Sequence, residues 1–389
     1  MLHRCPRRRS LLYNSEGGEP DSVRTRLLSL MHFSAKSLTA SAALLSSLSI
    51  TMWGGAFAQV PQQYPPPLGP EPTTNTRPVF EFHSGFWANL HLVLYEQARL
   101  RAERPVSNGG GESEAATAAT AARPERGDSA SRDWNAAVEY YQHEFSNRDL
   151  LVDGSMVAIY DRLGELEGCA DLSGRGKPAC ASGLRPEMIA ILEGAAPIYR
   201  SHGWEQDDKV NRDWIASVAP LVRQMGGTLA EQLAAVYHGD WPRKPMRVDV
   251  VSYGGLFGSY TTLDPTHITI SSTDPRNQSY AGFEVLFHEA SHALASAVFH
   301  GIAKECRARD IPIPRDLWHA LLFYTTGQLV KQMLEQKKLA ASYTPYAYRY
   351  GLFDRGWQNY QHVLEASWQP YLDGKVSFDR ALAQVVEGL

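Results

Sequence analysis

Phe283-Glu284-Val285-Leu286-Phe287-His288-Glu289-Ala290-Ser291-His292-Ala293-Leu294 is the stretch whose reading decides the fold. Val285, Leu286, Ala290, Ala293, Leu294, Ala297 and Val298 recur at helical spacing, so Phe283 to Phe299 is predicted to form one helix. Residues four apart lie a turn above one another on one face, which lets His288 and His292 aim both imidazoles at a single ion. Zinc takes imidazole nitrogens at roughly 2.0–2.1 Å and, in catalytic sites, uses three protein ligands and leaves one position for water. Glu289, beside the first histidine, can take a proton from that water and later pass it to a leaving group. The competing reading is a pair of core histidines. Burying two imidazoles and a carboxylate in an apolar stripe costs free energy unless each is satisfied, and an ion satisfies them together.

Through His288, Glu289 and His292 the chain resembles the zincin metallopeptidases, over at most the region from Met246 to Val330. The resemblance implies an α+β, mainly α fold, in which a small mixed sheet precedes the active-site helix and an edge strand holds the substrate backbone. It also implies a third ligand from farther down the chain. Val248 to Tyr253 and His267 to Ser272 are then expected to be strands, the second nearer the cleft. The metzincin variant would need Gly at 295 and His at 298, where this chain has Ala295 and Val298. A ligand on a second helix, as in the gluzincin branch, is expected instead.

The choices after His292 are His300, Glu305, Asp310, Asp316, His319, Glu335, His362 and Glu365. A straight helix cannot fold His300 back onto an ion held by its own earlier residues. His319 opens an apolar helix (Leu317, Trp318, Leu321, Leu322, Phe323) after the helix-breaking Pro312 and Pro314, which leaves room for that helix to return and pack on the first. Its spacing resembles that of the gluzincin branch; its residue type does not, since those enzymes place Glu there. Glu305 and Glu365 stay open as alternatives.

Of 389 residues, 43% are hydrophobic and 21% charged, the composition of a globular protein, and the formal charge of -4 includes no concentrated basic face for nucleic acid. From Met31 a signal peptide is readable: Lys36, the apolar run Leu38 to Trp53, and Ala56-Phe57-Ala58 as an A-x-A cleavage site before Gln59. Residues 1–58 are therefore expected to be an upstream extension plus signal peptide, and 59–78 a proline-rich linker. The mature chain is then exported, periplasmic or secreted, with no stable membrane span.

Residues 79–245 read as a helical subdomain and 246–389 as the metal-binding domain closed by a C-terminal helical layer. Val79 to Glu103 has the spacing of an amphipathic helix; His83 and His91 on it have no nearby carboxylate or cysteine and read as packing or surface groups. Residues 107–131 are a low-complexity insertion. Helical segments follow at Trp134 to Phe145, Leu150 to Leu166, Pro186 to Arg200, Arg212 to Met225 and Thr228 to Tyr237, separated by glycine-containing or polar breaks. Gly254 to Gly258 is a turn between strands. Cys169 and Cys180 bracket a polar glycine-rich loop suited to a local disulfide in an exported protein, with Cys306 left as a free thiol. Tyr343 to Tyr371 is an aromatic tract that reads as the core of the last layer, with Arg349 and Tyr350 as candidates to stabilise an oxyanion.

Taken together these features describe an exported zinc-dependent hydrolase, a metallopeptidase acting on a peptide or protein substrate. Zn2+ is expected to be held by His288, His292 and a third ligand, His319 with Glu305 and Glu365 as alternatives, and Glu289 is expected to be the general base. The alternative of another class is a non-catalytic envelope binding or scaffolding protein that keeps a zincin-like fold. An intact Glu289 favours the enzyme, since a scaffold has no chemical reason to keep a proton acceptor there.

Overall fold

Phe80-Glu81-Phe82-His83 alternates apolar and polar side chains, and it forms a strand, β1 (Phe80–His83), where the sequence pattern suggests the start of a helix. The computed structural model describes residues 78–103 and 129–389. The signal peptide, its cleavage site, nearly all of the proline-rich linker and most of the low-complexity insertion lie outside the described residues. The described residues all lie within one compact unit, Gly55–Leu389. Phe82 and Phe86 are four apart, which mimics helical spacing, but Ser84 and Gly85 break the chain and helix α1 begins at Phe86 (Phe86–Glu103). From Phe86 to Tyr95 every residue of α1 is buried, so its first half is a core helix rather than an amphipathic one.

Helices α2 (Ser129–Glu144) and α3 (Gly154–Glu165) follow, α2 starting inside the stretch read as low-complexity. Asp153 caps α3 by accepting from the backbone N–H of Ser155 and Met156. The Cys169–Cys180 disulfide is formed, and Cys306 is free and buried. Helices α4 (Pro186–Tyr199), α5 (Glu205–Leu221) and α6 (Gly227–Val236) are joined by single π-helical stretches, Arg200–Trp204 and Val222–Gly226. The polar breaks expected there are therefore not loops. Each π stretch follows a proline inside the preceding helix, Pro197 and Pro220, whose missing N–H removes a rung of the α-ladder and lets the chain widen without stopping.

Strands β2 (Met246–Val251), β3 (Ser259–Leu263) and β4 (Thr266–Ser271) complete a mixed sheet in the order β1-β2-β4-β3. β1, β2 and β4 run parallel, and β3 is antiparallel to β4. The edge beyond β4 is thus β3, which the sequence reading passed over, and β4 is an interior strand. Phe80, Phe82, Val248, Val250, Ile268 and Ile270 share one face by strand alternation; Phe82 meets Trp214 of α5, and Phe80 meets Phe287. The protein is mainly helical with this small mixed sheet.

The opposite face buries charge. His267 of β4 lies 2.7 Å from Asp161 of α3 through Nδ1 and 2.7 Å from Asp249 of β2 through Nε2. Arg247 donates to Asp249 at 2.8 Å and to the carbonyl of Gly164 at 3.0 Å, and Tyr160 stacks on the His267 ring. Burial alone would lower the His267 pKa, but the two carboxylates outweigh it and push it up to about 9; Asp249 is held below its ordinary value by His267 and Arg247 despite its burial. The folded ring keeps its proton to about pH 9 whereas the unfolded ring releases it near 6.5, so its stabilisation, on the order of 3 kcal/mol, is complete below 6.5 and lost as pH rises through 9. The share of Asp249 runs the other way, present above its unfolded value of 3.8 and lost as pH falls through the lower folded one. The unfolding midpoint of the wild type is therefore expected to fall more steeply between pH 7 and 10 than that of His267→Gln. Parallel curves would remove this role for the network.

Beyond the sheet come α7 (Ser279–Ser291), α8 (Ser296–Ala308) and α9 (Leu317–Gln336). The helix expected from Phe283 to Phe299 is broken: α7 ends at Ser291, a 3-10 turn covers His292–Leu294, and α8 sets off anew. Four short helices, α10 (Tyr346–Arg349), α11 (Leu352–Arg355), α12 (Gln358–Val363) and α13 (Gln369–Leu372), lead to α14 (Phe378–Glu387). Among the described residues no helix is long and apolar enough to cross a membrane.

Candidate metal centre

Two helices supply the imidazoles. α7 is buried continuously from Ala281 to Ser291 and carries His288, with His292 at its C-cap. α9 begins at Leu317, and its apolar residues Leu317, Trp318, Leu321 and Leu322 are all buried, which brings the return helix of the sequence reading back against α7 with His319 in its first turn. Nε2 of His288 lies 3.1 Å from Nε2 of His319 and 3.3 Å from Nε2 of His292. Each of the three residues offers one ligand atom, and all these atoms lie within 4.8 Å of one another.

Burial pushes the His292 pKa down to about 4 and those of His288 and His319 well below the ordinary value, with the neighbouring histidines adding to the shift for the last two. All three rings are neutral at pH 7, the form that ligates metal. Neutral imidazoles that face one another through Nε2 cannot all satisfy one another, because each ring carries a single N–H. A cation accepts all three lone pairs. Nitrogens bound at 2.0–2.1 Å in a tetrahedron stand roughly 3.3–3.4 Å apart; the two separations from His288, 3.1 and 3.3 Å, are close to that, and His292 and His319 offer atoms within 4.8 Å of one another.

Glu289 is buried beside the triad, with Oε2 3.9 Å from Nε2 of His292. The Thr261 hydroxyl on edge strand β3 donates to that oxygen at 2.8 Å and is 2.9 Å from the Glu289 carbonyl. Burial raises the Glu289 pKa to about 7, against the hydroxyls of Ser259 and Thr261, which favour the charged form.

The rings around the triad are aromatic. Phe323 stacks on His288, Trp318 stacks on His319 and meets His292 edge to face, and Trp357 meets His319 edge to face. Three of the other candidates are engaged elsewhere. Glu305 pairs with Arg309 at 2.6 Å, Glu365 accepts from the Tyr348 hydroxyl at 2.8 Å, and Nδ1 of His300 lies 2.8 Å from the carbonyl of Ser296. His91 is fully buried against the Tyr141 hydroxyl, and Nδ1 of His83, on β1 rather than on a helix, lies 2.7 Å from Glu167. Arg349 lies over the Tyr350 ring, and Tyr350 packs on Tyr346. Reasoning from sequence missed Thr261, Phe323 and Glu284, a fully buried acid one turn before His288. Only Glu284 left a signal, as an acid inside an apolar run. Compared with family models, with curated proteins and with solved structures, the chain finds no match.

Proposed function

We propose that this protein is an exported zinc-dependent hydrolase, a metallopeptidase with a zincin-like arrangement of sheet and active-site helix. One observation carries the reading: three imidazoles from two helices converge on one point, with a buried carboxyl beside them. Three histidines suit zinc, which takes nitrogen donors in tetrahedral sites. The Cys169–Cys180 disulfide supports an oxidising compartment for the folded part.

His288, His292 and His319 would hold the zinc, which when bound would supply Lewis-acid polarisation of a carbonyl and lower the pKa of water toward neutrality. Glu289 receives the proton of the attacking water, holds it in a buried setting where Thr261 fixes the carboxyl, and hands it to the departing amine nitrogen. β3, the strand that carries Thr261, is the last strand of the sheet among the described residues, and its outer side is where an extended peptide would pair beside that carboxyl. A non-catalytic scaffold has no use for such a proton acceptor.

Metal analysis of the purified protein is expected to find stoichiometric zinc, and a mixed peptide library is expected to be cleaved in a reaction that a chelator stops and added zinc restores. Protein that contains no zinc, or cleavage indifferent to chelator, would overturn the reading.

A further inference from the structure

Metal-bound histidines ordinarily donate their second ring N–H to a carboxylate or carbonyl, which fixes the ring plane and raises its basicity. Nδ1 of His288 and Nδ1 of His292 are instead buried without a hydrogen-bond partner. The torsion that turns an imidazole about its stem is broad and two-fold, so a ring without such a partner needs another restraint. For His288 that restraint is a ring face. Phe323 lies nearly parallel to the imidazole, with centroids 3.4 Å apart and planes inclined by 19°. Tyr346 stacks in turn on Phe323 at 5.6 Å and 21°.

The end of this column remote from His288 is fixed to the same helix that carries the histidine. The backbone N–H of Tyr346 lies 2.9 and 3.0 Å from the two carboxyl oxygens of Glu284, and the Tyr343 hydroxyl lies 2.6 Å from Oε2. Glu284 is fully buried on α7, one turn before His288. The chain therefore closes on itself: α7 to Glu284, to Tyr346, to Phe323 of α9, and back to His288 of α7.

We propose that Phe323, backed by Tyr346 and anchored through Glu284, is the positioning residue that fixes the plane of His288 for its ion, in place of a hydrogen bond. The proposal rests on the zinc-site reading above. An uncharged face orients the ring without raising its basicity, so the ion is held less tightly than a carboxylate partner would hold it.

Titration of the full chain with Co2+ alone, read by visible absorption, tests this. Loss of an outer partner of a metal-bound histidine costs about 10- to 100-fold in metal affinity, and Phe323→Leu, which keeps apolar bulk but removes the flat face, is expected to lose that much and to alter the cobalt spectrum. Phe323→Tyr is expected to restore both. Glu284→Gln, whose amide can accept from the Tyr346 N–H and donate to the Tyr343 hydroxyl, should stay near the wild type, whereas Glu284→Ala should shift in the direction of Phe323→Leu. In the metal-free protein the stacked face should displace the His288 ring-proton resonances upfield, and Phe323→Leu should remove that displacement.

Folded Phe323→Leu protein with wild-type cobalt affinity and spectrum would overturn the positioning role and leave the zinc reading intact. If Phe323→Leu does not fold, a Glu284→Ala protein identical to the wild type overturns it equally. Wild-type protein that takes up no cobalt would instead sink the metal reading, and the metal-free resonances then decide the column: His288 signals unmoved by Phe323→Leu refute it.

Discussion

Glu289→Gln is expected to keep its metal and its fold while turnover drops by about 10²- to 10⁴-fold, the usual worth of general acid–base catalysis. The replacement is nearly isosteric, and its amide oxygen can still accept from the Thr261 hydroxyl, which lies 2.8 Å from the carboxyl in the wild type. It cannot take up a proton. Burial, opposed by the hydroxyls of Ser259 and Thr261, brings the carboxyl up to about 7, and a cation bound among the neighbouring imidazoles would pull it lower, since positive charge favours the ionised form. Wild-type kcat/KM is therefore expected to fall on the acid side as pH drops below 7, and that limb should vanish in the variant. Steady-state kinetics with parallel metal analysis check both. A variant with full zinc and wild-type turnover would place the chemistry elsewhere.

Replacing any of His288, His292 or His319 by Ala is expected to remove zinc and activity together. The third of these is the informative one. His319 is on a helix of its own, so its loss separates the two-helix site from a pair of histidines on α7. Zinc at a thousandfold excess over its Kd stabilises the native state by about 4 kcal/mol, and each alanine variant should lose that zinc-dependent increment. Glu305→Ala and Glu365→Ala should retain it, since those carboxylates are engaged with Arg309 and Tyr348. Melting curves with and without zinc, beside metal content, read the outcome. Zinc at the wild-type level in His319→Ala, with loss in Glu305→Ala or Glu365→Ala, would reassign the third ligand.

The parts of this arrangement that sequence made legible are those set by local geometry. Four-residue spacing puts His288 and His292 on one face whatever surrounds them, and the prolines before Leu317 mark a return helix that can bring His319 back. What sequence hid depends on contacts remote along the chain. Ser259 to Leu263 is short and polar, and becomes a strand only because β4 offers it a partner. Phe80 to His83 is a strand because β2, far downstream, pairs with it in parallel. The polar stretch after Arg200 stays helical because a π stretch takes up the defect left by Pro197, which no apolar periodicity records. Phe323 reads as one more core residue of α9, and nothing in its spacing says that its ring faces an imidazole on another helix.

Gly327 lies eight residues beyond His319 on α9, roughly 12 Å along the axis. A Cβ built there would stand 2.7 Å from Cβ of Pro345 and 3.0 Å from Oε1 of Glu284, so α9, α7 and the segment before α10 meet at a point with no room for even a methyl group. One of these helices carries His288 and the other His319. A wedge at residue 327 would tilt the helices and change the gap between two nitrogens more than two turns away. The packing that sets the proposed site's two helices against one another thus includes a residue with no side chain, whose close neighbours are Pro345 and Glu284 and not the imidazoles.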